Sequence, residues 1–234
     1  MIEELKDFYW GWMSDGTEQG NYHKETMIGE IFIQRAYERF FEVDEGDIVV
    51  DIGASVGPFT KSILHKNPKH VFCLEPSYSE FKCLVKNTIG YPVTQVNKGI
   101  WETNGTANSD QLFGGESVME TLTFQTFIDL FSIEKIDFLK TDCEGGEYEI
   151  FKAENIEYIK NNISKITGEW HLRSPENKLR FRNFRDNILP LFPKYEIFSV
   201  DGIDIKWDLW NEHFIEYYEE IILYIDNRSN TPEI

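Results

Sequence analysis

Residues 48–57 read Ile-Val-Val-Asp-Ile-Gly-Ala-Ser-Val-Gly. A short β-branched run ends in a carboxylate, Asp51, and then in a turn carrying two glycines, Gly53 and Gly57. From Pro58 the stretch PFTKSILHK resumes helical periodicity, and proline suits the first turn of a helix. The segment therefore reads as strand, tight turn and helix, with glycines that let the backbone approach a ligand at a helix N-terminus. It is not a dinucleotide fingerprint. Val56 breaks the GxGxxG spacing that cradles a pyrophosphate, and Asp51 ahead of the turn suits a cationic or hydroxyl-bearing ligand.

The same alternation extends outward on both sides. Upstream, Met27, Ile28, Ile31, Phe32, Ala36, Tyr37, Phe40 and Phe41 recur at helical spacing, which predicts an amphipathic helix over Glu25 to Phe41. Downstream, strand VFCLEP (Val71 to Pro76) precedes a helix, and strand TQVNKGI (Thr94 to Ile100) precedes a polar, glycine-containing stretch. Helix FQTFIDLF is followed by strand DFLKTD (Asp137 to Asp142) and a further helix after Gly145. Strands SKITGEWH and YEIFSV flank a basic helix around Asn177 to Leu189, and EIILYIDN closes the set. This rhythm predicts an α/β, Rossmann-like, seven-stranded mostly parallel sheet with helices on both faces, and ligands beyond the carboxyl ends of the strands. Residues 1–45 are expected to form an N-terminal helical extension, and residues 46–234 the Rossmann-like domain. The stretch Trp101 to Val118 is the candidate mobile loop.

Glu75 ends the second strand, 24 positions after Asp51. That is close to the roughly 20-residue spacing at which an acid meets the hydroxyls of an adenosine ribose. Glycines around an amino-acid tail, a carboxylate on the ribose and no phosphate nest together fit S-adenosylmethionine.

VVDIGASVGPFT, the CLEP segment and FLKTDCEGGEYEIF together resemble the FkbM family of S-adenosylmethionine-dependent methyltransferases. The third segment is the most specific: Leu139, Lys140, Asp142, Glu144, Gly145 and Glu147 match the family pattern LKxDxEGxE position by position. The resemblance spans approximately Glu25 to His171, and it departs from the family at Pro58. It implies a class I methyltransferase architecture with the cofactor at Asp51, Gly53, Ala54, Gly57 and Glu75. It also implies O-methylation, mostly of natural products or sugars.

An alcohol is a poor nucleophile, so its activation needs a general base or a metal. Asp142 and Glu144 stand at the end of the fourth strand, and Glu169 and His171 at the end of the fifth, with alternation placing each pair on one side of its strand. Asp142, Glu169 and His171 are the candidate ligands for Mg²⁺ or Mn²⁺. The same residues also suit a metal-free arrangement in which His171 and Asp142 are the catalytic pair. Glu147 and Glu149 read as acids at a helix start, and Lys140 as a buried-stem lysine paired with an acid. Trp101, Trp170, Trp207 and Trp210 are candidate sugar-stacking platforms. Arg173, Lys178, Arg180, Arg182 and Arg185 could hold the diphosphate of a nucleotide-activated sugar.

The composition sets the boundaries. Forty-one acidic residues against 23 basic ones give a net charge of −18, a field that repels phosphate backbones and anionic lipid surfaces. No apolar run approaches the roughly 18 to 20 residues of a membrane span, and no basic start with an apolar run marks a signal peptide. Cys73, Cys83 and Cys143 include no CxxC pair. The expectation is a cytoplasmic O-methyltransferase acting on a small-molecule sugar or sugar nucleotide, in capsule or surface glycan assembly. The alternatives are a natural-product or peptidyl methyltransferase with the same cofactor site, and a nucleotide-binding protein without turnover.

Overall fold

The computed structural model describes residues 5–108 and 118–228. Its first α-helix, α1 (Glu18–Met27), is capped by the Thr17 hydroxyl accepting from the Gly20 amide. β1 (Ile48–Ile52), α2 (Pro58–Ile63), β2 (His70–Leu74) and α3 (Tyr78–Thr88) follow as two consecutive strand–helix units. β3 (Val93–Val96) and β4 (Gly99–Ile100) divide the single strand expected there, and β5 (Gly105–Asn108) and β6 (Val118–Leu122) come next. α4 (Phe124–Phe131) leads to β7 (Ile136–Thr141), α5 (Glu147–Ile150), α6 (Ile156–Asn162) and β8 (Ile163–His171). α7 (Pro175–Asn183), β9 (Tyr195–Ser199), α8 (Glu212–Tyr217) and β10 (Glu220–Asp226) complete the described chain.

Seven strands form one sheet in the order β3-β2-β1-β7-β8-β10-β9. Its first four neighbouring pairs are parallel, and β10 lies antiparallel between β8 and β9. Large apolar side chains cover both faces. Ile52, Leu74, Leu139 and Trp170 lie in one core with Phe124, Phe127 and Phe184, while Val49, Val71, Phe138 and Tyr224 lie in another with Tyr37, Phe41 and Phe59. Strands buried on both faces read as near-continuous hydrophobic runs, as in Ile48–Val50 of β1 and Phe138–Leu139 of β7.

Chain order reverses at the β1–β7 neighbourhood, the topological switch point where open α/β sheets bind ligands. Ile52 there lies in register with Thr141, so the turn after β1 and the turn after β7 stand side by side.

Two expectations are corrected. The helix over Glu25–Phe41 is broken into three pieces: α1, a π-helical turn at Ile28–Ile33, and a 3-10 turn at Ala36–Glu38 after a left-handed Arg35. The break follows from tertiary anchoring. The Tyr37 hydroxyl donates to Asp142, and Glu38 accepts from the Val43 amide and the Lys66 ammonium. Within the candidate loop Trp101–Val118, the described residues Gly105–Asn108 form a strand, β5, which pairs with β6 in a separate three-stranded sheet with β4. Residues 109–117 of that stretch lie outside the described residues.

Candidate active site

The turn after β1 is built around Gly53 and Gly57, at φ +77° and +90°. A Cβ at Gly53 would stand 1.7 Å from the Asp142 carbonyl oxygen, so the glycine is required where the two turns meet. One at Gly57 would press on Leu84 of α3 at 2.8 Å. Both glycines bring backbone close to backbone or core. Ala54 is buried between them, and Ser55 follows with φ +50°.

Glu75 is buried just past β2, and each of its oxygens accepts one amide: Oε2 from Ser55 at 2.8 Å, and Oε1 from Ser77 at 2.7 Å. Burial first, then the Glu80 charge, lifts its carboxyl to about 8 against these donors. Two amides leave lone pairs free on a carboxylate, and the Ser55 Oγ beside it is buried without a hydrogen-bond partner. A ribose diol and a polar amino-acid tail fit this donor and acceptor set.

Asp51 sits deeper than the sequence reading places it. It is fully buried, accepts from the Thr60 hydroxyl at 2.8 Å, and pairs with Lys140 at 3.2 Å. The Lys140 ammonium, itself buried, also donates to the Gly53 carbonyl at 2.7 Å and stands 3.7 Å from Asp142 Oδ2. Asp51 therefore bears on the turn through Lys140 and Thr60.

Across the switch point, β8 brings Glu169 and His171 beside Asp142. One oxygen from each acid and one imidazole nitrogen lie within 4.8 Å of one another, close enough for one ion to reach all three. His171 Nε2 is 3.8 Å from Asp142, 3.5 Å from Glu169 and 3.5 Å from Glu144. Its Nδ1 lies 3.2 Å from Glu147 Oε1. In the sequence, Glu147 reads as the last acid of the LKxDxEGxE pattern and as an acid at a helix start. In the fold its carboxylate also accepts the amides of Cys143 and Gly145, which clamps the CEGG turn against the imidazole. The available signal was the EGxE end of the family pattern, an acid two residues after Gly145.

Glu30, carried on the π-helical turn, completes an acid-rich wall with Asp142, Glu144 and Glu169. Burial and Asp142 lift the Glu30 carboxyl to about 7, and burial and Asp142 lift Glu169 to about 8. Burial disfavours charge on His171, yet Glu147, Glu144 and Asp142 outweigh it and hold the imidazole up to about 10.

The basic helix is not a free cationic surface. Arg173 pairs with Glu220 and Glu144, Lys178 with Glu216, and Arg180 with Glu149. Arg182 and the buried Arg185 both pair with Glu212. Of the tryptophans, Trp170 is a core residue, Trp210 lies under Arg185, and Trp207 is exposed.

The sheet order, the glycine turn and the acidic residue closing β2 define a Rossmann-like, class I methyltransferase fold. Residues 51–229 match the methyltransferase FkbM domain, so the chain belongs to the FkbM family of S-adenosylmethionine-dependent methyltransferases. The match runs past His171 to the end of the described chain, further than the sequence resemblance extends. A protein from Clostridium thermocellum described as an rRNA methylase has the same fold, at TM-score 0.50 and 11% identity over 90% of this chain and 97% of its own. The plantazolicin methyltransferase BpumL, solved with S-adenosylhomocysteine, aligns at TM-score 0.47 and 15% identity over 97% and 98% of the two chains. Comparison with curated proteins gives no match. No helix among the described residues is long and apolar enough to cross a membrane.

Proposed function

We propose that the chain transfers the methyl group of S-adenosylmethionine to a hydroxyl of a sugar, with a divalent cation, Mg²⁺ or Mn²⁺, held by Asp142, Glu169 and His171. The observation that carries this reading is the convergence of those three side chains beside the Gly53 turn. Gly53, Ala54, Gly57 and Glu75 bind the cofactor, and Asp51 supports them from beneath. The cofactor supplies an electrophilic methyl carbon on a sulfonium. A cation in this set supplies Lewis acidity toward the acceptor hydroxyl.

The chain's own residues orient and balance charge. Glu147 fixes the imidazole through Nδ1 so that Nε2 faces the carboxylates, the carboxylate–histidine arrangement that supports metal ligands. A cation relieves the crowding of Asp142, Glu144 and Glu169 around one imidazole. Without a cation, the catalytic pair is Asp142, placed to take the acceptor proton, and His171, held protonated beside it.

An uncharged sugar suits the acid-rich wall better than a nucleotide-activated one, because the basic residues of α7 already face carboxylates. The net charge of −18 supports a small molecule over nucleic acid as acceptor. A cytoplasmic place in capsule or surface glycan assembly follows from the family's usual substrates. The test is transfer of labelled methyl to a panel of sugars. Exhaustive chelation should abolish transfer, and Mg²⁺ or Mn²⁺ should restore it. A rate untouched by chelation refutes the cation.

A further inference from the structure

The geometry points to Lys140 as the positioning residue that sets Asp142 against the cofactor turn, an assignment that rests on Asp142 acting at the acceptor side. Lys140 is 3% exposed, and a buried ammonium is costly unless its donors are satisfied. Its partners come from two loops that meet at the switch point. From the β1 side it takes the Gly53 carbonyl at 2.7 Å and Asp51 at 3.2 Å, and from the β7 side Asp142 Oδ2 at 3.7 Å.

The same two loops touch directly, since a Cβ on Gly53 would overlap the Asp142 carbonyl. Asp142 Oδ2 also accepts from the buried Tyr37 hydroxyl at 2.8 Å, and the Lys140 ammonium lies over the Tyr37 ring, 5.1 Å from its centre. Lys140 is thus placed to fix the Gly53 carbonyl while it and Tyr37 fix the Asp142 carboxylate. Any shift of one loop changes the partners of the other. Burial opposes the ammonium charge, but Asp51 and Asp142 outweigh it and keep Lys140 protonated.

A bystander charge and a positioning residue predict opposite signs. Removing a positive charge beside Asp142 tightens a cation there by Coulomb attraction alone, whereas losing the group that orients Asp142 loosens it. The experiment uses the full chain as wild type, Lys140→Met, and Asp51→Asn combined with Lys140→Met. The last variant removes both buried charges and so guards against unfolding. S-adenosylhomocysteine affinity is measured by calorimetry and Mn²⁺ affinity by paramagnetic resonance, with circular dichroism to confirm the fold.

Both variants should weaken S-adenosylhomocysteine about tenfold, the loss of one charge-assisted hydrogen bond holding the turn. Both should also weaken Mn²⁺ at least threefold. Unchanged S-adenosylhomocysteine affinity, or tightened Mn²⁺, in a folded variant overturns the assignment. If wild type binds S-adenosylhomocysteine but not Mn²⁺, the cation reading fails separately. The S-adenosylhomocysteine result then decides Lys140 alone.

Discussion

The Nδ1 of His171 lies 3.2 Å from Oε1 of Glu147, a carboxylate with no solvent exposure that also accepts two amides of the CEGG turn. Glu147→Gln keeps the shape but replaces one acceptor oxygen with a donor. Supporting carboxylates of this kind are worth about 10- to 100-fold in metal affinity or activity. Turnover should fall within that range, and Mn²⁺ binding should fall with it. A variant with wild-type Mn²⁺ affinity would show that His171 is not held for a cation.

Glu75→Ala should weaken S-adenosylhomocysteine by about 1–3 kcal/mol, roughly 5- to 150-fold, the scale of leaving buried hydrogen-bonding groups without their partner. Calorimetry on the folded variant measures it. An unchanged dissociation constant would place the cofactor elsewhere.

Gly53 and Gly46 separate crowding from backbone strain. Both have positive φ, but a Cβ at Gly46 meets nothing within 4 Å, whereas one at Gly53 overlaps the Asp142 carbonyl. Gly46→Ala should cost only the left-handed strain, about 1–2 kcal/mol. Gly53→Ala should cost that plus displacement of the Asp142 turn, another 1–3 kcal/mol or so, and should impair cofactor binding as well. Equal losses of thermal stability in the two variants would remove the case for direct contact between the loops.

Stability should depend on pH through Glu75. Its carboxyl is raised from the ordinary 4.5 to about 8, so the native state keeps a proton that the unfolded chain releases. The contribution is complete below about pH 4.5 and is lost as pH rises through about 8. Melting temperature in chelator should therefore fall between pH 5 and pH 8, and the fall should be smaller for Glu75→Gln. Parallel curves for the two proteins would contradict the raised carboxyl.

Much of this arrangement was legible because it is local. The run Ile48–Ile52 and the positive-φ glycine turn announce a strand entering a ligand-binding loop. Alternation along two neighbouring parallel strands was enough to bring Asp142 to Glu169 and His171. The rest depends on contacts between distant segments. Helical spacing over Glu25–Phe41 could not show that Tyr37 is claimed by Asp142, 105 positions away. The charge of α7 could not show that Glu212, Glu216 and Glu149 neutralise it. Nor could the position of Asp51 reveal that Thr60 and Lys140 occupy it.

The most direct test is a crystal structure of the wild-type chain with S-adenosylhomocysteine and Mn²⁺, with anomalous differences measured at the manganese edge. One anomalous peak should appear among Asp142, Glu169 and His171, with the ribose of the ligand on Glu75 and its amino-acid tail against the Gly53–Gly57 turn. No peak at those three side chains, or a ligand bound away from Glu75, would contradict the proposed site.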